Sequence, residues 1–273
     1  MLEVNKVYNE SCITGMQKMD EGSVDLVVTS PPYDELRTYN DSSSWNFEVF
    51  KQVADELTRV LAPGGIIMWN VGDATVKGSE TGSSFRQCLY FHDECDLRIH
   101  DTMLYQKPSA AYPAGKRSNR YSQVFEYCFI LSKGKPKTTN LLKDKRNAWA
   151  GSQNFGRVSS RQKDGTMKVE PGRITVNEWG YRDNIWRIPN GKGFGQSNAE
   201  VYKHPATMPE ALALGHIQTW SNPGDLVLDP FMGSGTTARM AYQEDRNWIG
   251  FEIDKEYYDL CVRCTNFNSV FDK

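Results

Sequence analysis

The sequence predicts an α/β fold, a mostly parallel sheet flanked by helices and interrupted by one long insertion. Short apolar runs that stop at turn residues alternate with stretches of helical periodicity, the pattern of parallel strands joined by crossover helices. Between residues 135 and 203 the periodicity fails, and Gly, Asn, Ser, Lys and Arg gather around isolated aromatics such as Trp149, Phe155, Trp179 and Trp186. The sheet is therefore expected from residues 1–134 and 204–273, with 135–203 as an inserted region.

The first strand is Val24-Asp25-Leu26-Val27-Val28-Thr29, a buried apolar run whose carboxyl end opens into the Pro31-Pro32 turn. Phe47, Phe50, Val53, Ala54, Leu57, Val60 and Leu61 then recur at helical spacing. Pro63-Gly64-Gly65 ends that helix where Ile66-Ile67-Met68-Trp69 begins the next strand. β-Rich stretches follow at 102–106 and 124–131, the second closing at Ser132-Lys133-Gly134-Lys135-Pro136. After the insertion a helix is expected over 208–220, with Pro209 near its first turn and Asn222-Pro223-Gly224-Asp225 closing it. Leu226-Val227-Leu228 forms a strand that runs into Asp229-Pro230-Phe231-Met232-Gly233-Ser234-Gly235-Thr236-Thr237. Another helix starts there, and Trp248-Ile249-Gly250-Phe251 makes the next strand.

Bulk properties narrow the class. A chain of 273 residues, 39% hydrophobic and 24% charged, suits one globular domain carrying an insertion and excludes disordered or fibrous classes. No apolar run approaches the roughly 20 residues that span a bilayer, and the polar start lacks the apolar core of a signal peptide, so a cytoplasmic protein is expected. The six scattered cysteines fit reduced thiols. Cys261-x-x-Cys264 has no second pair to complete a metal site, and no metal is expected. The net charge of −2 conceals an uneven distribution: residues 133–203 hold 15 Lys and Arg against 6 Asp and Glu, a net +9 that leaves −11 for the rest. Such a segment is either a solvated loop region or the contact surface for a polyanion.

Two constellations carry chemistry. The pair Gly233-x-Gly235 after a strand lets the backbone turn tightly against a ligand, and the following helix offers its N-terminal amides. Glu252 comes about twenty residues later at the end of the next strand, where a carboxylate can accept both ribose hydroxyls. The pairing indicates a nucleoside cofactor, and serves nicotinamide dinucleotides and S-adenosylmethionine equally. The second constellation is Thr29-Ser30-Pro31-Pro32-Tyr33. Two consecutive prolines remove two amide donors, so the turn presents acceptors, the Ser30 hydroxyl oxygen and nearby carbonyls. An amine is the guest such a turn suits, and acceptors holding its hydrogens favour the pyramidal, attacking nitrogen. Tyr33 offers a stacking face for a base pulled out of its helix.

Together, Thr29-Ser30-Pro31-Pro32-Tyr33 and the loop from Asp229 to Thr237 resemble the amino-group (N4-cytosine/N6-adenine) DNA methyltransferase family in its β arrangement, in which the catalytic motif precedes the cofactor loop and the target recognition region lies between them. His204-Pro205-Ala206-Thr207-Met208-Pro209-Glu210 is similar to the family's segment leading into the helix before the cofactor strand. The resemblance implies a Rossmann-like S-adenosylmethionine-dependent methyltransferase with a seven-stranded sheet. It implies Ser30, Pro31, Pro32 and Tyr33 as the target-amine pocket, Phe231, Gly233, Ser234, Gly235, Thr236 and Thr237 as the cradle of the cofactor's methionine part, Asp229 near its amino group, and Glu252 as the ribose ligand. One departure stands out: many relatives have Gly-Asp shortly before the catalytic strand, where this chain reads Asn9-Glu10-Ser11-Cys12.

In this family Ser in place of Asp at the Ser30 position favours cytosine N4 over adenine N6, and N6-adenine methylation is the alternative. Methyl transfer from a sulfonium to nitrogen needs only in-line alignment, hence direct displacement without metal or covalent intermediate. Cytosine C5 chemistry would need a nucleophilic cysteine, and none of the six follows a proline at a strand end. The expected partner is double-stranded DNA, its phosphates contacted by residues 133–203 and by Lys116, Arg117 and Arg120. Residues 34–44, polar and directly after the catalytic turn, are a lid or an ordinary surface loop. The resemblance admits a restriction-modification setting with a companion endonuclease, and either a monomer or a homodimer. The competing classes are a catalytically silent DNA-binding module of the same fold and a nicotinamide oxidoreductase.

Overall fold

A computed structural model of the chain describes residues 2–33, 45–108, 120–189 and 195–267. The chain divides into two compact units, Met1–Asn140 with Asn184–Lys273, and Leu141–Asp183.

The larger unit opens with β1 (Lys6–Tyr8), α1 (Cys12–Met16), β2 (Val24–Thr29), α2 (Phe47–Val60) and β3 (Leu61–Val71). A two-residue hairpin, β4 (Thr75–Val76) and β5 (Ser79–Glu80), leads to α3 (Ser83–Asp93), β6 (Arg98–Gln106) and β7 (Phe125–Ser132). The smaller unit contributes β8 (Lys145–Arg146), β9 (Gln153–Arg161), β10 (Met167–Thr175) and β11 (Trp179–Gly180). The chain then returns through β12 (Ile185–Arg187), a 3-10 turn (Ala199–Lys203), α4 (Glu210–Trp220), β13 (Leu226–Asp229), α5 (Thr236–Gln243), β14 (Asn247–Phe251) and α6 (Lys255–Cys264).

The main sheet runs β1-β14-β13-β2-β3-β7-β6-β12. The five strands from β1 to β3 are mutually parallel, β7 is antiparallel to β3 and β6, and β12 lies parallel to β6. The α/β class and mainly parallel sheet are as the sequence predicts, but eight strands take part among the described residues rather than seven. The eighth comes from the segment assigned to the insertion. Ile185 pairs with Leu104 and Trp186 with Tyr105, and Trp186 and Ile188 are buried. The insertion as a separate unit is accordingly 141–183, shorter than 135–203.

Helix α2 forms as its spacing requires. Asn46 accepts the amides of Glu48 and Val49 at 2.9 and 3.0 Å, and Phe50, Val53, Ala54, Leu57 and Val60 are buried. It stops before Pro63-Gly64-Gly65, because Leu61 already turns extended and pairs with Val24. The next paired residues are Leu26 and Ile66, so 62–65 bulge from the strand. Gly64 is needed there: its φ is +77°, and a Cβ would lie 2.9 Å from the Lys135 carbonyl oxygen. The α2 side of the sheet is aromatic. Phe50, Trp69 and Phe91 meet pairwise edge to face at 5.3–5.9 Å. On the alternate pleat Leu26, Val28, Met68 and Val227 are fully buried, and α4 packs on β2 and α5.

In the smaller unit, β9 and β10 pair antiparallel over nine residues each, from Gln153 with Thr175 to Arg161 with Met167. The turn between them is closed by Asp164, which accepts the Thr166 amide at 2.9 Å, and by Gly165 at φ +85°. The sequence reading has no strand here, since Gly156, Pro171 and Gly172 break any two-residue alternation. No helix among the described residues is long and apolar enough to cross a membrane.

Candidate active site

The carboxyl ends of β2 and β13, with the start of α5 and the end of β14, enclose a cavity of about 230 Å³. Ser30, Pro31, Pro32 and Tyr33 line it, together with Asp229, Phe231, Gly233, Ser234, Thr236, Thr237 and Glu252. Both sequence motifs thus face one space although they lie some 200 residues apart. Gly235 stands behind the loop instead, against α6. Its φ is +83°, and a Cβ would meet the Thr265 Cγ2 at 2.8 Å and the Cys261 Sγ at 3.0 Å.

On the glycine-loop side two buried carboxylates organise the backbone. Asp229 Oδ1 accepts from the Thr29 hydroxyl at 2.6 Å and from the Phe231 amide at 3.0 Å, and burial pushes its carboxyl up to about 6. Glu252 accepts the Gly233 amide on one oxygen and the Asp254 amide on the other, each at 2.9 Å. Burial raises it to about 7 against the pull of those amides. Thr236 Oγ1 is buried without a hydrogen-bond partner among the described residues, although Thr236 lines the cavity. Ser11, Cys12 and Ile13, at the start of α1, complete this side, and the Asn9 side chain donates to the Glu252 carbonyl at 2.9 Å. The departure from Gly-Asp therefore sits on the cavity wall. His204, stacked edgewise on Tyr257 at 4.4 Å and lying against Gly233, lines the cavity with Thr207 and Met208.

On the Pro-Pro side, Ser30 Oγ donates to the Tyr33 hydroxyl at 3.0 Å, and Tyr33 donates to Glu126 Oε2 at 2.8 Å. Asn70 Nδ2 donates to both, at 2.8 and 2.9 Å, and Lys107 pairs with the other Glu126 oxygen at 2.5 Å. Burial, reinforced by the Glu126 charge, pushes the Tyr33 phenol well above its ordinary value. Sequence reasoning missed Asn70, Lys107, Glu126 and Trp45, which packs edge to face on Phe231 at 5.2 Å. Glu126 had left a signal: it is the one charged residue in the strand Phe-Glu-Tyr-Cys-Phe-Ile-Leu-Ser.

Lys116 and Arg117 lie outside the described residues, as does the 34–44 segment. Arg120 is described. It donates to the Gly78 carbonyl and lies 3.7 Å from Glu80, on the β4–β5 hairpin. All six cysteines are free thiols, with Cys261 and Cys264 buried in α6. No group of three or more His, Cys, Asp or Glu among the described residues could hold a metal ion.

Comparison with known proteins agrees with this geometry. The chain matches the DNA methylase family of N6 and N4 methyltransferases over residues 24–263. It is 51% identical over 244 residues to the orphan methyltransferase M.BamHII of Bacillus amyloliquefaciens, 89% of each chain. Its fold is that of the cytosine-N4-specific PvuII DNA methyltransferase, at a TM-score of 0.69 and 22% identity over 94% of this chain and 84% of that one. M1.HpyAVI, solved as its SAM complex, has a TM-score of 0.62 at 22% identity over 96% of this chain and 98% of that one. A family match that spans both motifs and a relative identical at half of the aligned positions, with both motifs lining one cavity of this chain, lead to one conclusion: this chain belongs to the N6/N4 DNA methylase family.

Proposed function

We propose that the chain transfers a methyl group from S-adenosylmethionine to the N4 amine of cytosine in double-stranded DNA, by direct displacement on a base flipped into the cavity. The observation that carries this reading is the Ser30 hydroxyl, which gives its own hydrogen to Tyr33 and so keeps its lone pairs for an amine, in the same cavity as Glu252 and the glycine loop. The residues present fit the cofactor. Glu252 is a carboxylate at the end of β14 with acceptor capacity beyond its two amides, the Thr236 hydroxyl has no partner among the described residues, and the turn at Gly233 brings backbone close to the space between them. Glu252 would take the ribose hydroxyls, Asp229 would face the amino group of the methionine part, and Phe231 with Ser234, Thr236 and Thr237 would hold the rest. S-adenosylmethionine supplies an electrophilic methyl group on a sulfonium sulfur.

The exocyclic amine is a poor nucleophile because its lone pair is delocalised into the ring. Ser30, accepting an N–H, favours the pyramidal nitrogen, and the Pro31-Pro32 backbone contributes no donor that would compete. In the family a serine at the Ser30 position goes with cytosine N4 and an aspartate with adenine N6, and the PvuII enzyme that shares this fold is cytosine-N4-specific. The smaller unit and the basic 133–203 segment, with Lys116, Arg117 and Arg120, would contact phosphates and read the target sequence.

The test is mass spectrometry of nucleosides from unmethylated DNA incubated with the protein and S-adenosylmethionine, with Ser30→Ala as control. N4-methylcytosine that disappears in the control is the expected result. N6-methyladenine would keep the mechanism and overturn the base, and no methylated nucleoside would overturn the activity in favour of a silent DNA-binding module.

A further inference from the structure

We infer that Glu126, acting through Tyr33, is a positioning residue that fixes the Ser30 hydroxyl as a hydrogen-bond acceptor toward the target base. The inference rests on the proposed reading that Ser30 faces an amine. The argument is a count of hydrogens. The Cys128 thiol donates to Asn70 Oδ1 at 3.1 Å, which turns the amide so that Nδ2 points at Tyr33 and Glu126. The Glu126 carboxylate, paired with Lys107 at 2.5 Å, is acceptor-only, so the Tyr33 hydroxyl must donate to it. A phenol oxygen has one hydrogen and room for two donors. Glu126 takes the hydrogen, Asn70 fills one acceptor place, and the other is left for Ser30. The Ser30 hydrogen is therefore directed away from the base, and its lone pairs are directed toward it.

The alternative orientation is unproductive. Cytosine carries a ring-nitrogen acceptor beside its amine, and a Ser30 hydroxyl free to rotate would donate to that nitrogen instead of accepting from the amine. The chain Lys107, Glu126, Tyr33, Ser30 excludes that rotamer before any base arrives. A reversed chain is accessible by one isosteric change. In Glu126→Gln, Lys107 still holds the carbonyl oxygen, so the new NH2 faces Tyr33 and donates to it; Asn70 loses its acceptor on residue 126 and keeps only Tyr33, whose two acceptor places are then filled, so Tyr33 must donate to Ser30 and the Ser30 hydrogen turns to the base.

The experiment measures single-turnover methylation of DNA together with dissociation constants for S-adenosylmethionine and for DNA, in wild type, Glu126→Gln, Tyr33→Phe and the double variant. Glu126→Gln is expected to lower the transfer rate on the order of 10²-fold, the cost of one misdirected group at a reacting centre, with both dissociation constants within about twofold of wild type. Tyr33→Phe, which frees Ser30 without reversing it, is expected to lose less, about tenfold, and Glu126→Gln is expected to add little in that background. Wild-type turnover in Glu126→Gln, a rate loss matched by weakened binding, or equal losses with and without the Tyr33 hydroxyl would each overturn the inference alone. A wild-type protein that binds DNA and methylates no base would overturn the reading of the site along with it.

Discussion

Thr29 donates its hydroxyl hydrogen to Asp229 at 2.6 Å, tying together the carboxyl ends of two adjacent parallel strands. The carboxylate that receives it is buried, and burial pushes it from the ordinary 3.8 to about 6. A carboxyl whose pKa is higher folded than unfolded adds stability below its unfolded pKa, and that contribution is lost as pH rises through the folded value. The free protein is thus expected to lose stability from Asp229 between about pH 4 and 6. Asp229→Asn keeps an oxygen for Thr29 and Phe231 and removes the charge. It should raise the melting temperature at pH 8 and flatten its fall with pH, with a gain at pH 8 on the order of 1–3 kcal/mol. Melting curves at pH 5, 6.5 and 8 decide it, and an unchanged slope in the variant would sink the assignment.

Glu252 makes the same argument about a ligand. Its carboxyl is raised from 4.5 to about 7, so near neutral pH it titrates, and only the ionised form accepts two ribose hydroxyls while keeping its two amide partners. The affinity for S-adenosylmethionine is expected to fall about tenfold for each pH unit below 7 and to level off above it. Glu252→Gln should bind about 10- to 100-fold more weakly at pH 8 and lose that slope, since an amide offers one acceptor oxygen in place of two. Calorimetric titration from pH 5.5 to 8.5 reads both effects. A wild-type affinity that does not change over that range would remove Glu252 from the ribose.

How much of this was legible in the sequence follows from where the signals live. Leu26 to Val28 and Leu226 to Leu228 are apolar runs, and they read as strands because both faces of a parallel sheet are buried. The helix α3 was not legible. Its buried face mixes the apolar Cys88 and Phe91 with the polar Ser83, Ser84 and Gln87, held by Asp73 and Trp69, while Phe85 and Leu89 are exposed, so no clean apolar stripe marks it. The glycine loop and the Pro-Pro turn were found because local backbone demands leave local residue signatures. Asn70 on β3, Glu126 on β7 and Lys107 one residue past the end of β6 were missed because only the antiparallel pairing of β7 with β3 and β6 brings them side by side. The eighth strand was missed for a related reason: three residues are too few to show a period.

Gly235 offers a test of the loop that is independent of ligand. Alanine there faces two costs, a left-handed φ of +83° and a methyl 2.8 Å from the Thr265 Cγ2. The first is worth about 1 kcal/mol or a little more, and the second adds strain against Thr265 and the buried Cys261 at the end of α6. Gly235→Ala is expected to destabilise the fold by about 2–4 kcal/mol. Thr265→Ser deletes the opposing methyl and keeps the hydroxyl that donates to the Cys261 carbonyl at 2.8 Å, so the double variant should regain part of the loss. Chemical denaturation of the four proteins tests this as a cycle. Strict additivity would mean that the Thr265 methyl contributes nothing, leaving the left-handed backbone and the Cys261 Sγ at 3.0 Å to account for the cost.

The Tyr105 hydroxyl is buried in the cavity wall, on the residue paired across the sheet with Glu126, and has no hydrogen-bond partner among the described residues. A buried hydroxyl without a partner loses its hydration and receives nothing in exchange. Tyr105→Phe keeps the ring, which lies 5.9 Å from the Lys107 ammonium, and discards the unpaired group. The free protein is expected to gain about 1 kcal/mol, a rise in melting temperature of roughly 2–4 °C for a chain of this size. A fall instead would show that the hydroxyl is hydrogen-bonded in the free protein through an ordered water, because only a satisfied group costs stability when it is removed.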